Sequence, residues 1–226
     1  MTAFVLLHGT TQSPAGWDRL VDVLQRRGHA SYAVDLALGN PDASPSDYAG
    51  AAAAQVPEDL HAPVVVAHSG AGLLLPDVAR ALNARRQVWL TAWIPDGTQT
   101  FLQEVTAHPR RIFNEEWLGK DPASDPVLAT YFLFHDCDLA TLQWGLTTLR
   151  VFFPKVAYEQ PIPLALDIPS DCILTTGDRT LRPDWLRTAA WERLGAQPAE
   201  LPGGHCPHVS RPADLADMLT TIGNRR

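Results

Sequence analysis

The stretch PVVVAHSGAG, residues 63–72, decides how this chain folds. Val64, Val65 and Val66 form an unbroken β-branched run, which is typical of a strand buried on both faces of a parallel sheet. Small residues follow at once, so the chain turns sharply from this strand into a predicted helix over 70–85. Ser69 lies in the turn itself.

A serine in such a turn projects its hydroxyl from the edge of the sheet. The turn needs small residues two positions before and after the serine, and the usual pattern is G-x-S-x-G. Here Ala67 and Ala71 stand at the two glycine positions, which is a departure that alanine is small enough to allow. A helix N-terminus also favours negative charge that develops nearby. The motif therefore predicts Ser69 as a nucleophile.

Outward from this turn, apolar strand patterns alternate with helical patterns. This order predicts a doubly wound, mostly parallel α/β sheet in one domain over 1–226. The predicted strands are 3–7, 29–36, 63–67, 87–94, 173–176 and 199–201. The predicted helices are 14–28, 48–60, 70–85, 183–194 and 212–222.

One segment interrupts the alternation. Residues 98–169 contain several prolines and no convincing series of strands, with helical patterns only at 113–118 and 139–153. We expect a small helical cap, inserted after the strand that ends near Ile94. It should fold over the carboxyl ends of the strands, where ligands bind in open α/β sheets.

Composition excludes several classes of protein. The chain has 226 residues, 46% of them hydrophobic, and a net charge of -7, which is a poor match for binding nucleic acid or an anionic membrane. No apolar run reaches the ~20 residues needed to cross a bilayer, and the N-terminus lacks the basic region of a signal peptide. Cys137, Cys172 and Cys206 are odd in number and widely spaced. They predict reduced thiols in a cytoplasmic protein, without a disulfide framework or zinc site.

A general base is predicted just before the last helix. Gly203 and Gly204 leave the backbone free to carry His205 over the strand ends, and His205 follows Ser69 in the chain order that this arrangement requires. His208 is the alternative base, although it follows Pro207 and lies nearer the helix.

An acid that orients the histidine is predicted at Asp178, directly after the strand 173–176. It lies 109 residues after Ser69 and 27 before His205, which leaves room for the insertion and then for one helix and one strand. The alternative acids are Asp96, Asp171 and Asp184.

Backbone N–H groups of Thr10 and Gly70 are predicted to hold an oxyanion, because Thr10 follows His8-Gly9 at the end of the first strand.

Pocket residues are predicted at Gly9, Thr11, His68, Trp93, Phe134 and Trp144. Aromatic residues of the cap region could line a pocket for a small apolar or aromatic acyl group, or simply pack the cap's own core. They are Trp93, Phe101, Phe113, Trp117, Tyr131, Phe132, Phe134, Trp144, Phe152 and Phe153. The run His135-Asp136-Cys137-Asp138 has metal-binding residue types, but it favours a helix N-cap over a metal site.

The segments FVLLHG, VVVAHSGAGLLLP, ILTTGDRTLRP and GGHCPHVSRP together resemble the α/β-hydrolase superfamily over essentially the whole chain. Within it, they are similar to the plant methylesterase and hydroxynitrile lyase group and its bacterial esterase relatives. The resemblance implies a parallel sheet with a small helical cap, no cofactor, and catalytic roles for Ser69, Asp178 and His205.

Two departures from the lyases favour ester hydrolysis. The lyases have a threonine where this chain has Gly9, and a lysine after the histidine where this chain has Cys206. We therefore expect a serine hydrolase that cleaves a small carboxylic ester. We also expect the protein to be a monomer or a homodimer. The alternatives are lyase, lactone, thioester or acyl-transfer chemistry on the same triad, or a small-molecule receptor.

Overall fold

A single parallel sheet of six strands organises the molecule. The computed structural model describes residues 1–225; Arg226 lies outside the described residues. The strands are β1 (Ala3–Leu7), β2 (Ala30–Val34), β3 (Val64–His68), β4 (Arg86–Leu90), β5 (Ser170–Thr175) and β6 (Ala199–Leu201). Their order is β2-β1-β3-β4-β5-β6, and every neighbouring pair is parallel. The predicted doubly wound parallel sheet is confirmed.

Two separate cores cover the two faces of the sheet, because successive side chains of a strand point to opposite faces. In β3, Val65 and Ala67 belong to one buried cluster, and Val64 and Val66 belong to the other. All five residues of β3 are buried. The unbroken apolar pattern of this strand is thus explained by helices on both sides.

Helices surround the sheet. The α-helices are α1 (Asp18–Arg26), α2 (Pro45–Ala53), α3 (Leu75–Ala81), α4 (Phe101–Ala107), α5 (Pro109–Ile112), α6 (Pro126–Phe132), α7 (Leu139–Thr147), α8 (Lys155–Glu159), α9 (Pro183–Leu194), α10 (Pro207–Ser210) and α11 (Pro212–Gly223). Short 3₁₀ turns cover Pro14–Trp17, Ser69–Leu73 and Glu115–Trp117.

Several predicted boundaries were wrong. The predicted helix 48–60 is α2, which begins earlier because Ser44 and Asp47 form a reciprocal capping box. The predicted helix 70–85 is a 3₁₀ turn followed by the shorter α3, and the predicted helix 139–153 ends at Thr147. The strand predicted over 87–94 ends at Leu90, because Thr91 has a φ of 41° and leaves the extended conformation.

Five helices, α4 to α8, lie in the stretch between β4 and β5 where the cap was predicted. Sequence patterns pointed only to α7 and to the short turn at 115–117. The missed α4 carries a visible signal, since Thr100 and Gln103 form a capping box. Among the described residues, none of the helices combines the length and apolar character needed to cross a membrane.

The carboxyl ends of the strands share one edge of the sheet. β1 lies between β2 and β3, so the chain leaves β1 toward one side and returns to its other side. Ligands of open α/β sheets bind at such a switch point. Thr10 follows β1 and Ser69 follows β3, so both lie at this edge.

Candidate active site

Three side chains form a continuous chain of hydrogen bonds at this edge. The Nδ1 atom of His205 lies 2.8 Å from Oδ2 of Asp178, and its Nε2 atom lies 3.0 Å from Oγ of Ser69. A carboxylate only accepts, so Nδ1 carries the proton and Nε2 is left to accept from the serine hydroxyl. The structure thus brings together the three residues that the sequence singled out.

Asp178 is held by its own loop. Its other oxygen, Oδ1, accepts hydrogen bonds from the backbone N–H groups of Thr180 at 2.7 Å and Leu181 at 3.1 Å. The side chain is only 3% exposed. Both carboxylate oxygens are therefore engaged, which fixes the one that faces His205.

The alternative acids are occupied elsewhere. Asp171 pairs with Arg86 and Arg225, and Asp184 pairs with Arg187. Asp96 accepts from the backbone of its own turn. Burial raises the pKa of Asp96, but hydrogen bonds from Gln99 and Thr98 outweigh that effect and lower it overall.

The turn that carries Ser69 is strained. Ser69 has a φ of 55°, in the left-handed region that non-glycine residues rarely adopt. Its carbonyl accepts from the Trp93 N–H at 3.0 Å. A Cβ on Gly72 would lie 1.9 Å from the carbonyl oxygen of Trp93, so only glycine permits this close approach. The tight turn thus places the serine hydroxyl at the strand edge.

Thr10 and Gly70 lie side by side next to this serine. A Cβ on Gly70 would lie 2.6 Å from Cγ2 of Thr10, and one on Gly9 would lie 3.0 Å from Cβ of Ser69. Gly70 is the second residue of the 3₁₀ turn, and N–H groups of a first turn lack partners within the helix. The backbone N–H of Gly70 therefore lies at the start of this turn, close to Thr10 and directly after Ser69.

The backbone carbonyl of His205 is held by two side chains at the ends of β3 and β4. Its carbonyl accepts from Nε2 of His68 at 2.8 Å and from the Thr91 hydroxyl at 3.0 Å. His68 is 1% exposed, and burial, followed by the neighbouring His208 and His205, holds its pKa well below the usual value. The imidazole of His68 is thus a neutral donor that supports the loop.

His208, the alternative base, packs among other rings, and it makes no hydrogen bond to Ser69. Its ring packs 4.3 Å from that of Trp17 and 4.6 Å from that of His68. Burial lowers the pKa of His208 to about 3. The structure therefore brings His205, and not His208, to the serine.

A cavity of about 140 Å³ opens beside Ser69. Its walls come from both the strand-edge loops and the segment between β4 and β5, and none of its residues is charged. They are Thr10, Ser69, Gly70, Trp93, Phe101, Phe113, Trp117, Tyr158, Thr180 and Leu181. An apolar cavity of about 150 Å³ accommodates benzene, so this one suits a group the size of a single ring.

Of the predicted pocket residues, only Trp93 lines this cavity. Gly9 touches the serine turn, as described above, and Thr11 uses its carbonyl to accept from Arg150 N–H at 3.2 Å. His68 is buried behind the site, Phe134 packs against Gly145, and Trp144 lies under Arg19. Thr11, His68, Phe134 and Trp144 are thus not among the residues that line this cavity, and the side chains of His68, Phe134 and Trp144 are used in packing.

Two polar cavity residues were missed by sequence reasoning. Tyr158 stacks on Phe101 at 4.4 Å, and burial raises the pKa of Tyr158 to about 12, only partly opposed by the nearby Thr10 hydroxyl. Thr180 lies two residues after Asp178, and its hydroxyl has no partner among the described residues. The loop position of Thr180 was a usable signal; nothing in the sequence marked Tyr158.

Cys206, which stands where the lyases have lysine, turns away from the cavity. It is fully buried with Phe134 and Val209, and Nε2 of Gln12 donates to its sulfur at 3.4 Å. Burial raises the pKa of this thiol well above its usual range. Within residues 1–225, no three His, Cys, Asp or Glu side chains are grouped so that they could hold a metal ion.

Several solved structures of similar fold carry the names of esterases or hydrolases. Polyneuridine aldehyde esterase superposes with a TM-score of 0.80 at 19% identity, covering 99% of this chain and 100% of that one. The pyrethroid hydrolase PytH gives 0.79 at 20% identity, covering 99% and 97%. The methylesterase MES16 from Arabidopsis gives 0.74 at 16% identity, covering 98% of each chain. A sequence search of curated proteins finds no match.

The likeness to these structures is a likeness of fold. The family model described as "Alpha/beta hydrolase family" matches residues 4–218, which is nearly the whole chain. This match agrees with the six-stranded parallel sheet and with the strand-edge turn at Ser69. The chain belongs to the α/β hydrolase family.

Proposed function

We propose that this protein is a cofactor-independent serine hydrolase that cleaves small carboxylic esters. The observation that carries the proposal is the hydrogen-bond chain from Ser69 through His205 to Asp178, placed beside an uncharged cavity. A buried imidazole between a hydroxyl and a carboxylate is the arrangement that activates a serine for acyl transfer.

In the proposed reaction, Ser69 attacks the carbonyl carbon of the ester while His205 takes its proton at Nε2. Asp178 keeps the imidazole in the required tautomer and stabilises its positive charge. The N–H groups of Thr10 and Gly70 donate to the oxyanion. His205 then protonates the departing alcohol, and water releases the acid from Ser69 by the same steps.

The cavity favours substrates with a small, uncharged acyl group. Half of the residues in its walls are aromatic and none is charged, so an ionised acyl group would lose its hydration without gaining a charged partner. A volume of about 140 Å³ favours an acyl group no larger than one ring. The absence of a charged group in these walls also argues against a step that expels an anion such as cyanide.

The test is a panel of p-nitrophenyl esters whose acyl group grows from acetyl to butyryl, benzoyl and naphthoyl, with a succinyl ester as the charged member. We expect kcat/KM to rise to the one-ring size, to fall for naphthoyl and to be lowest for succinyl. Ser69→Ala should abolish turnover throughout. Unchanged hydrolysis by Ser69→Ala would falsify the proposal, and turnover only of lactones or thioesters would replace the ester assignment.

A further inference from the structure

The turn between α6 and α7 sits directly on the loop that carries His205. Oδ2 of Asp136 accepts from the Gly204 N–H at 3.0 Å and from the Ser210 hydroxyl at 2.8 Å. Gly204 precedes His205, and Ser210 ends α10, which follows it. One carboxylate oxygen therefore binds the segment 204–210 at a residue before His205 and at a residue after it.

The contact between this turn and the loop is close enough to exclude any side chain. A Cβ on Gly203 would lie 2.5 Å from Oδ2 of Asp136, and one on Gly204 would lie 2.7 Å from Cε1 of His135. Gly203 also has a φ of 120°, which glycine adopts readily. The two glycines thus serve to admit the Asp136 carboxylate as well as to free the backbone.

The contact between Asp136 and the loop is largely shielded from solvent. The Asp136 side chain is 11% exposed, and Nε of Arg211 lies 3.7 Å from the same oxygen. Hydrogen bonds from backbone N–H to a carboxylate are about twice as strong as neutral ones. His68 and Thr91 hold the carbonyl of His205, so the loop is held both at the N–H of Gly204 and at the carbonyl of His205.

We propose that Asp136 is a positioning residue, through which the inserted helical segment fixes the imidazole of His205 against Ser69. Asp136 touches no reacting atom and acts only through the backbone of the loop. The inference rests on the proposed serine chemistry for its kinetic consequence. It makes the insertion part of the catalytic geometry as well as a wall of the cavity.

Two variants remove this grip by different amounts. Asp136→Ala leaves the Gly204 N–H without an acceptor, whereas Asp136→Asn keeps one carbonyl oxygen that can accept it. A displacement of a catalytic group by ~1 Å costs about 10²-fold in rate. We expect Asp136→Ala to lower kcat about 100-fold with KM within threefold, and Asp136→Asn to recover at least tenfold of that loss.

Asp171→Asn is the matched control. Asp171 is also a buried, ion-paired carboxylate, but it lies in β5, near the opposite edge of the sheet. Assays are run well below the unfolding temperature of every variant, and we expect Asp171→Asn to keep kcat within twofold. Equal kcat losses in Asp136→Ala and Asp171→Asn would overturn the proposal, as would a rise in KM at unchanged kcat.

Hydrogen–deuterium exchange separates this inference from the proposed function. Peptides covering 202–206 should exchange at least tenfold faster in Asp136→Ala than in the parent protein or in Asp171→Asn. Faster exchange in a protein that turns over no ester would uphold the grip on the loop while refuting the esterase. Unchanged exchange of 202–206 would overturn the positioning role whatever the activity.

Discussion

Buried histidines should make this protein sensitive to mild acid. His68 and His208 are each about 1% exposed, and burial lowers the pKa of both, in His208 to about 3. In the unfolded chain a histidine titrates near 6.5. Below that pH the unfolded state therefore binds more protons than the folded state, and the free energy of unfolding falls as the pH falls.

The magnitude follows from the linkage between proton binding and folding. One pH unit is worth about 1.4 kcal/mol for each group that is protonated only when unfolded. Between pH 7.5 and 5.5, an unfolded histidine that titrates near 6.5 is mostly neutral in the upper half of the range and mostly protonated in the lower half, so each group contributes about 1.4 kcal/mol. His68 and His208 together should therefore remove about 3 kcal/mol. Most small proteins have a total stability of about 5–15 kcal/mol, so the loss is a large share.

The assay is urea unfolding followed by tryptophan fluorescence at pH 7.5, 6.5 and 5.5. His208→Phe keeps a ring against Trp17 but cannot be protonated, so over this range it should lose about 1.4 kcal/mol less stability than the parent protein. His61→Gln, at an exposed position, removes a histidine without touching the cluster and should behave as the parent protein. A free energy of unfolding that stays flat down to pH 5.5, or the same pH slope in His208→Phe, would refute the reasoning.

Three further predictions concern the residues around the serine turn. Gly70→Ala brings a Cβ to 2.6 Å from Cγ2 of Thr10, so kcat/KM should fall about 10²-fold, and adding Thr10→Ser should recover part of it; full activity in Gly70→Ala would contradict the placement of the oxyanion donors. Asp178→Asn should lower kcat by about 10⁴-fold with KM little changed, because a carboxamide no longer enforces the tautomer, and a loss below tenfold would remove Asp178 from that role. Gly9→Thr places a Cβ 2.8 Å from Nδ1 of His68, so the free energy of unfolding in urea should fall by about 1–3 kcal/mol, and for Gly9→Ala the loss should be nearer the lower end. A Gly9→Thr variant as stable as the parent protein would show that the turn can move to accept the side chain.

The residues near the strand ends were predictable because their signals are local. A buried strand, a small-residue turn and a polar residue directly after the strand fix where Ser69, Asp178 and His205 emerge. Parallel strands then bring those ends to one edge of the sheet, whatever happens in between. The choice of Asp178 over Asp96 needed the structure, since both follow a predicted strand and only contacts reveal which one faces the imidazole.

The inserted segment was not predictable to the same degree. Phe134 and Trp144 have the composition of pocket residues, yet they pack against the histidine loop and against Arg19. Tyr158 lies on a helix of five residues with no marked periodicity, and it reaches the cavity through packing on Phe101. Short helices take their places from tertiary contacts, which a single sequence does not reveal.

The central claim is that Ser69 is activated by His205, and covalent labelling tests it most directly. A fluorophosphonate probe is added to the parent protein, to Ser69→Ala and to His205→Ala, and intact masses are recorded over time. The account predicts one adduct on the parent protein, none on Ser69→Ala, and labelling at least 100-fold slower on His205→Ala. Equal labelling of all three, or no adduct on a folded parent protein, would contradict it.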